Sequence, residues 1–228
     1  MRVLSIIPAR GGSKGIPKKN MAPLDGKPLI FFTIQASLAS KYINRTIVSS
    51  DDLKTLTVAK KYGAEIVRRP NKISRDDSLY QLLIIHSLDY IRKKDGYRPD
   101  IIVYLQPTSP LRTGSDIDKA MNLMLAKKAP ALISVCALDK KFLKIFRVDN
   151  LGYLKGVVND DYPFANRQNL PDVFMPNGAI FAIKTDIFLK RKQLFAPKTI
   201  PYIMSAECSI DIDTLDDLKR AEKILKKD

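Results

Sequence analysis

The chain reads as an α/β protein with three layers, built on a mostly parallel sheet and carrying one small inserted lobe. Three observations support that reading. Apolar runs of strand length alternate with longer stretches of helical period. The first run empties into a glycine-rich basic loop, and the alternation breaks only once, between residues 139 and 176. With 228 residues and 45% apolar content, the chain can bury one good core.

Strand candidates are residues 3–7, 46–49, 65–67, 101–106, 131–137, 179–183 and 209–212. Helical patterns cover residues 28–40, 52–62, 79–94, 115–128 and 215–227. Pro28 suits a first helical turn, Asp51-Asp52 and Ser115-Asp116 suit N-caps, and Gly63 suits a helix stop. Residues 1–138 and 177–228 then form the main domain. The stretch 139–176 holds Phe142, Phe146, Tyr153, Tyr162, Phe164 and Phe174 among Asp, Asn, Pro and Gly. It is too long for a plain loop, and its aromatics call for burial against a partner or the core.

Composition narrows the function. No apolar stretch approaches the ~20 residues needed to cross a bilayer. The start, Met1-Arg2 before an apolar strand, is too short for a signal peptide, so a cytoplasmic location is expected. Cys136 and Cys208 read as small buried hydrophobes rather than a disulfide pair. The net charge of +15 comes as scattered pairs such as Lys60-Lys61 and Lys127-Lys128, with no basic tail. That pattern favours a basic proteome or a site for small polyanions over a nucleic-acid face. The single histidine, His86, lies in an apolar helical pattern and reads as structural. Hydrolytic triads and zinc sites find no support.

Three segments carry the chemistry that remains. The opening loop, from Ala9 through Arg10, Gly11, Gly12, Ser13, Lys14 and Gly15 to Lys19 and Asn20, offers backbone N–H groups and cations to a phosphate. It matches neither G-x-x-x-x-G-K-[ST] nor G-x-G-x-x-G. The run Gln106-Pro107-Thr108-Ser109-Pro110-Leu111-Arg112 is a rigid turn at a strand end, with Gln106 aimed into a cleft or capping free backbone groups. In Ser209-Ile210-Asp211-Ile212-Asp213-Thr214, strand periodicity puts Asp211 and Asp213 on one face, roughly 6–7 Å apart. Two such carboxylates suit Mg²⁺ with substrate phosphates, although Asp213 could also cap the next helix. The set describes phosphoryl or nucleotidyl transfer.

In order and spacing, these segments resemble the signature of CMP-sialic acid synthetases (acylneuraminate cytidylyltransferases), as do Pro176-Asn177-Gly178-Ala179-Ile180 and Tyr202-Ile203-Met204-Ser205. The likeness runs over essentially the whole chain. It implies a Rossmann-like nucleotidyltransferase sheet and transfer of CMP from CTP to the anomeric hydroxyl of a nine-carbon 2-keto sugar acid, with Mg²⁺. On the matching positions it implies CTP binding by Ala9, Arg10, Gly11, Ser13, Lys14, Lys19, Asn20, Arg69 and Ser78. Arg10, Lys19 and Asp211 would be catalytic, and Asp211 with Asp213 would hold the metal. Gln106, Lys144, Arg167, Asn177, Phe181 and Phe195 would meet the sugar acid. The family is homodimeric, and the stretch 139–176 would be the dimerisation lobe.

Departures bear on the sugar. Sialic acid enzymes commonly carry tyrosine where Phe181 stands, and a paired phenylalanine where Leu194-Phe195 stands. A lost hydroxyl and a reshaped apolar wall suit a 9-deoxy, more acetamidated acid such as legionaminic acid. Pseudaminic acid and the eight-carbon acid Kdo are the nearest alternatives. From another class, a basic nucleic-acid-binding α/β protein is the rival.

Overall fold

The computed structural model describes residues 1–12, 15–74 and 79–226. In chain order the strands and helices are β1 (Val3–Pro8), β2 (Pro23–Leu24), β3 (Lys27–Pro28), α1 (Leu29–Ala39), β4 (Arg45–Ser50), α2 (Leu53–Lys61) and β5 (Glu65–Arg68). They continue with α3 (Tyr80–Asp95), β6 (Ile101–Tyr104), α4 (Gly114–Ala126), β7 (Ala131–Leu138), β8 (Phe146–Val148), β9 (Leu154–Gly156), β10 (Val173–Lys184), α5 (Thr185–Arg191), β11 (Ile200–Met204) and α6 (Leu215–Leu225). Among the described residues the main sheet has the order β11-β7-β10-β6-β1-β4-β5. Its pairs are parallel except where β10 runs antiparallel to both β6 and β7.

Central strands are buried on both faces and therefore read as unbroken apolar runs. One core packs α1, α2 and α4 against the sheet through Ile30, Ile34, Ala59, Ile117, Met121 and Met124. The opposite core uses Leu83, Ile84, Leu88 and Ile91 of α3 with Phe188 of α5. A third, smaller cluster joins Ile16 and Ala22 of the opening loop to Leu111, Ile210, Ile212 and, on α6, Leu218. It ties together three segments far apart in sequence. His86 sits half-buried on α3, where desolvation and then the Arg69 charge push its pKa down.

Local chemistry explains most helix ends. Asp52 caps α2 by accepting from the Lys54 and Thr55 N–H groups. Gly63, at φ 93°, comes directly after the C-cap Tyr62 of that helix, where a left-handed conformation is needed. Helix α4 starts earlier than Ser115-Asp116 would place it. Thr113 is its N-cap, and Asp116 closes a reciprocal capping box from the third helical position.

Two strand assignments change. Residues 209–212 join no ladder, because the Ile212 N–H is used on the Thr108 carbonyl at 2.8 Å. The last strand is β11, parallel to β7 at the sheet edge, where Pro201 costs no needed donor. The excursion from the sheet is also shorter than the stretch 139–176. Val173, Phe174, Met175 and Pro176 pair with β7, so the irregular part ends at Asp172. It consists of a β8–β9 hairpin and short 3₁₀ turns. Cys136 and Cys208 are free and half-buried. Among the described residues no helix is long and apolar enough to cross a membrane.

Candidate active site

Strands β6, β1 and β4 lie side by side and parallel, so their carboxyl ends open at one edge of the sheet. From β1 the chain moves outward to β4 and β5, then returns to β6 on the other flank. Such a reversal leaves a crevice where loops diverge, the usual ligand position in an open α/β sheet. The three loops that leave here are the opening loop, the Asp51-Asp52 segment and the Gln106–Arg112 turn.

The opening loop is held by backbone bonds and small residues. The Ala9 N–H donates to Ser49 O at 2.9 Å, and Asn20 Nδ2 donates to Arg10 O at 2.9 Å. The Gly11 N–H donates to Asp51 Oδ1 at 3.0 Å, and a Cβ on Gly11 would stand 2.8 Å from that of Asp52. Asn20 therefore shapes the loop with its amide rather than presenting all of it to a ligand. Arg69, 6% exposed, keeps its guanidinium 3.8 Å from Asp51, with Nε and Nη2 lacking hydrogen-bond partners among the described residues. Burial lowers its pKa; Asp51 opposes that shift, while the Arg10 charge adds to it. Arg10 and Arg69 thus concentrate positive charge beside Asp51. Ser13, Lys14 and Ser78 lie outside the described residues.

The two aspartates face out although no strand holds them. Ile210 and Ile212 are buried in the small cluster, which leaves Asp211 and Asp213 exposed between and after them. Lys19 Nζ donates to Asp213 Oδ1 and to Ile212 O, each at 2.8 Å. Lys19 thus fastens the opening loop to the acidic segment. Asp213 is not the helix cap. That role falls to Thr214, in a capping box with Asp217. Asp211 keeps some access to water, yet neighbouring protein atoms desolvate its carboxylate and raise its pKa. A hydrogen bond from Thr108 opposes this shift, and the Asp213 charge reinforces it.

Among the described residues no group of three or more acidic, histidine or cysteine side chains could hold a metal. A pair of carboxylates nevertheless fits Mg²⁺, which takes one or two such ligands and completes its shell with water and substrate phosphates. Burial is the main cause of the raised Asp211 pKa, and the Asp213 charge adds to it, so a cation held between the two carboxylates would favour their ionised forms.

Beyond the turn, Gln106 lines a cavity of about 290 Å³ together with Tyr80, Tyr104, Ile133, Phe181, Leu194 and Phe195. Three of its rings meet at angles: Tyr104 and Phe181 have centroids 6.2 Å apart, and Tyr80 and Tyr104 6.3 Å. The Leu194 N–H donates to the Tyr80 hydroxyl at 3.3 Å. Gly178, at φ 74°, is required twice over, since a Cβ there would overlap the Gln106 side chain.

Three residues expected at the sugar stand outside the lining of this cavity. Asn177 is 4% exposed and its amide is used internally: Oδ1 accepts from Ser134 Oγ and the Ala179 N–H, and Nδ2 donates to Ser209 Oγ. It is a fastener between β7, β10 and the acidic segment. Arg167 lies on the excursion, 70% exposed, and pairs with Asp139 at 3.2 Å. Neither it nor Lys144, which ends a 3₁₀ turn there, lines the cavity. Sequence reasoning also missed Asp51, Thr108, Tyr80 and Tyr104. Asp51 was legible only as a second acid beside an N-cap, and Thr108 as part of a turn. The tyrosines are brought to the cavity by separate elements, α3 and β6.

The cytidylyltransferase family model matches residues 4–224. The chain is 34% identical over 220 residues to an N-acylneuraminate cytidylyltransferase of Streptococcus agalactiae serotype V, across 95% of this chain and 52% of that protein. It thus spans about half the length of that relative. It is 32% identical over 229 residues to a CMP-N,N'-diacetyllegionaminic acid synthase of Legionella pneumophila, across 99% and 97% of the two chains. The structure of a CMP:2-keto-3-deoxy-manno-octonic acid synthetase complexed with CTP superposes with a TM-score of 0.73 at 17% identity, covering 100% of this chain and 99% of the other, which shows the shared fold. By fold, motif order and matched length, this chain belongs to the cytidylyltransferase family.

Proposed function

We propose that this protein transfers CMP from CTP to the anomeric hydroxyl of a nine-carbon 2-keto sugar acid and releases pyrophosphate. The observation that carries this reading is the Lys19 link. It seats the basic opening loop against Asp211 and Asp213, on the same sheet edge from which Gln106 enters the aromatic cavity. A triphosphate in the crevice would put its α-phosphorus between the nucleotide side and the sugar side. The hydroxyl oxygen attacks that phosphorus, the bond from it to the α,β-bridging oxygen breaks so that pyrophosphate leaves with that oxygen, and the hydroxyl proton passes to water.

Negative charge builds on the phosphates during this exchange. Arg10, Lys19 and the loop N–H groups stabilise it from positions set before reaction, so catalysis is mainly electrostatic. Asp211 and Asp213 would hold Mg²⁺, which when bound supplies charge neutralisation for the phosphates and the leaving pyrophosphate. No protein nucleophile is needed.

The cavity favours legionaminic acid among the candidate sugars. Phe181, Phe195, Leu194 and Ile133 give it apolar walls, with Gln106 and the two tyrosines as its polar groups. Such walls suit a deoxy terminus and acetamido methyls better than a terminal hydroxyl. The excursion supports a homodimer: Leu151, Tyr153 and Phe164 are 80%, 68% and 82% exposed, which calls for a covering surface. In that assembly Arg167 and Lys144 would serve the partner's cavity.

Pyrophosphate release from CTP and Mg²⁺, measured with sialic, legionaminic, pseudaminic and Kdo acids, tests the reading. Release with legionaminic acid at the highest kcat/KM is expected. No release with any acid, alongside salt-sensitive DNA or RNA binding, would overturn the enzyme assignment in favour of a nucleic-acid role.

A further inference from the structure

Arg112 is 2% exposed, and its described hydrogen-bond partners are all neutral oxygens. Nη2 donates to Thr33 Oγ1 at 2.8 Å and to Gln106 O at 3.4 Å, and Nη1 donates to Ser109 O at 3.4 Å. Thr33, wholly buried on α1, also donates from its hydroxyl to Gln106 O at 3.4 Å. Among the described residues no carboxylate hydrogen-bonds this buried guanidinium, and the nearby Asp116 charge only partly offsets a desolvation penalty that an apolar side chain would avoid. What it supplies instead is a fork of planar donors aimed at one turn.

That turn is short of its own donors. Pro107 and Pro110 have no N–H, and the Ser109 N–H reaches the Gln106 carbonyl at 3.4 Å, so few backbone groups are available to saturate the carbonyls of Gln106 and Ser109. The same turn delivers two groups to the site. Gln106 brings its amide to the aromatic cavity, while Thr108 accepts the Ile212 N–H at 2.8 Å and hydrogen-bonds Asp211.

We propose that Arg112 is a positioning residue. By clamping the Gln106 and Ser109 carbonyls, it sets the Gln106 amide on the sugar side and Asp211 on the nucleotide side of the same reaction. This assignment rests on the cytidylyl transfer proposed above. Arg112 touches neither substrate; it fixes the turn that reaches both.

The test compares Arg112→Met, Arg112→Lys and Thr33→Val in the full chain, with folding checked by circular dichroism. In Arg112→Met, kcat should fall about 10- to 100-fold, since small misplacements of reacting groups are costly. The KM for the sugar acid and the Mg²⁺ concentration for half-maximal rate should both rise, because the turn reaches both sides of the reaction. Arg112→Lys should recover part of the loss, and Thr33→Val should reproduce a milder form of it. Independently of turnover, hydrogen exchange at the Ser109 and Ile212 amides should quicken about tenfold in Arg112→Lys, with β1 amides unchanged.

Unchanged kinetics in a folded Arg112→Met, or a fall in kcat with neither the sugar-acid KM nor the Mg²⁺ requirement changed, would overturn the positioning role. If Arg112→Met does not fold, the other two variants carry the same readings. If the wild-type protein releases no pyrophosphate, the functional reading is what has failed, and the exchange data alone then judge the clamp. Unchanged exchange at Ser109 and Ile212 would refute it.

Discussion

Gly15 and Asp213, 198 positions apart in the chain (213 − 15), meet so closely that a Cβ on Gly15 would overlap the Asp213 backbone carbonyl oxygen. The contact lies next to the Lys19–Asp213 ion pair, so the opening loop and the acidic segment touch by backbone as well as by charge.

Gly15→Ala should therefore force the two segments apart. The atom in the way is backbone rather than a flexible side-chain tip, so stability should drop by about 1–3 kcal/mol. Urea denaturation measures the drop. In CTP turnover the same variant should lose kcat, and a variant matching wild type in both assays would show that the loop can yield.

Asp211→Asn should separate activity from stability. Turnover should fall on the order of 100-fold or more, as charge stabilisation at the phosphates is lost. Added Mg²⁺ should not restore it. The folded Asp211 pKa is raised, so the ionised carboxylate opposes folding at neutral pH, and the neutral amide should leave the metal-free thermal midpoint equal or higher. Wild-type turnover would refute the metal role.

Arg10→Ala should lower kcat more than it raises the KM for CTP, because its charge counts most where charge develops. A change confined to KM would make Arg10 a binding residue only. Steady-state kinetics in CTP and sugar acid distinguish the two outcomes.

Phe181→Tyr returns a hydroxyl to the cavity wall. The ratio of kcat/KM for sialic over legionaminic acid should rise about tenfold. An unchanged ratio would place sugar selection on Phe195, Leu194 or the partner subunit.

Away from the site, Arg45 bonds Glu65 through Nε and Nη2, each at 2.6 Å, and pairs with Asp95 at 2.9 Å. The Arg45 hydrogen bond holds the Glu65 pKa below its ordinary 4.5. A lowered folded pKa gives stability that is present above the unfolded value and lost as pH falls through the folded one. Glu65→Gln should therefore destabilise the protein at pH 7, with the gap closing below about 4.5. Denaturation midpoints measured across this range test the sign; a gap that widened in acid would contradict it.

Much of the fold was legible because local signals agreed with it. Unbroken apolar runs marked the central strands, Asp52 and Gly63 bracketed α2, and helical period marked α1, α3 and α6. The acidic segment shows where local signals mislead. Its alternation of Ile and Asp correctly put both carboxylates outward, but it was read as a strand, whereas the Ile212 N–H serves the Thr108 carbonyl instead of a ladder. Edge strand β11, with Pro201 inside it, gave no comparable pattern.

The sequence by itself determined the residue types of the site and their order along the chain: a basic glycine loop, a proline-bounded turn and two aspartates. Periodicity and special backbone requirements are short-range, so they can be read one segment at a time. Tertiary structure alone decided what those residues touch. It placed Lys19 on Asp213, Thr108 on Asp211 and Tyr80 beside Tyr104. It also turned Asn177 from an expected ligand contact into an internal fastener. Such pairings depend on which strand ends the sheet order brings together, and on burial that leaves a polar group no partner but another segment.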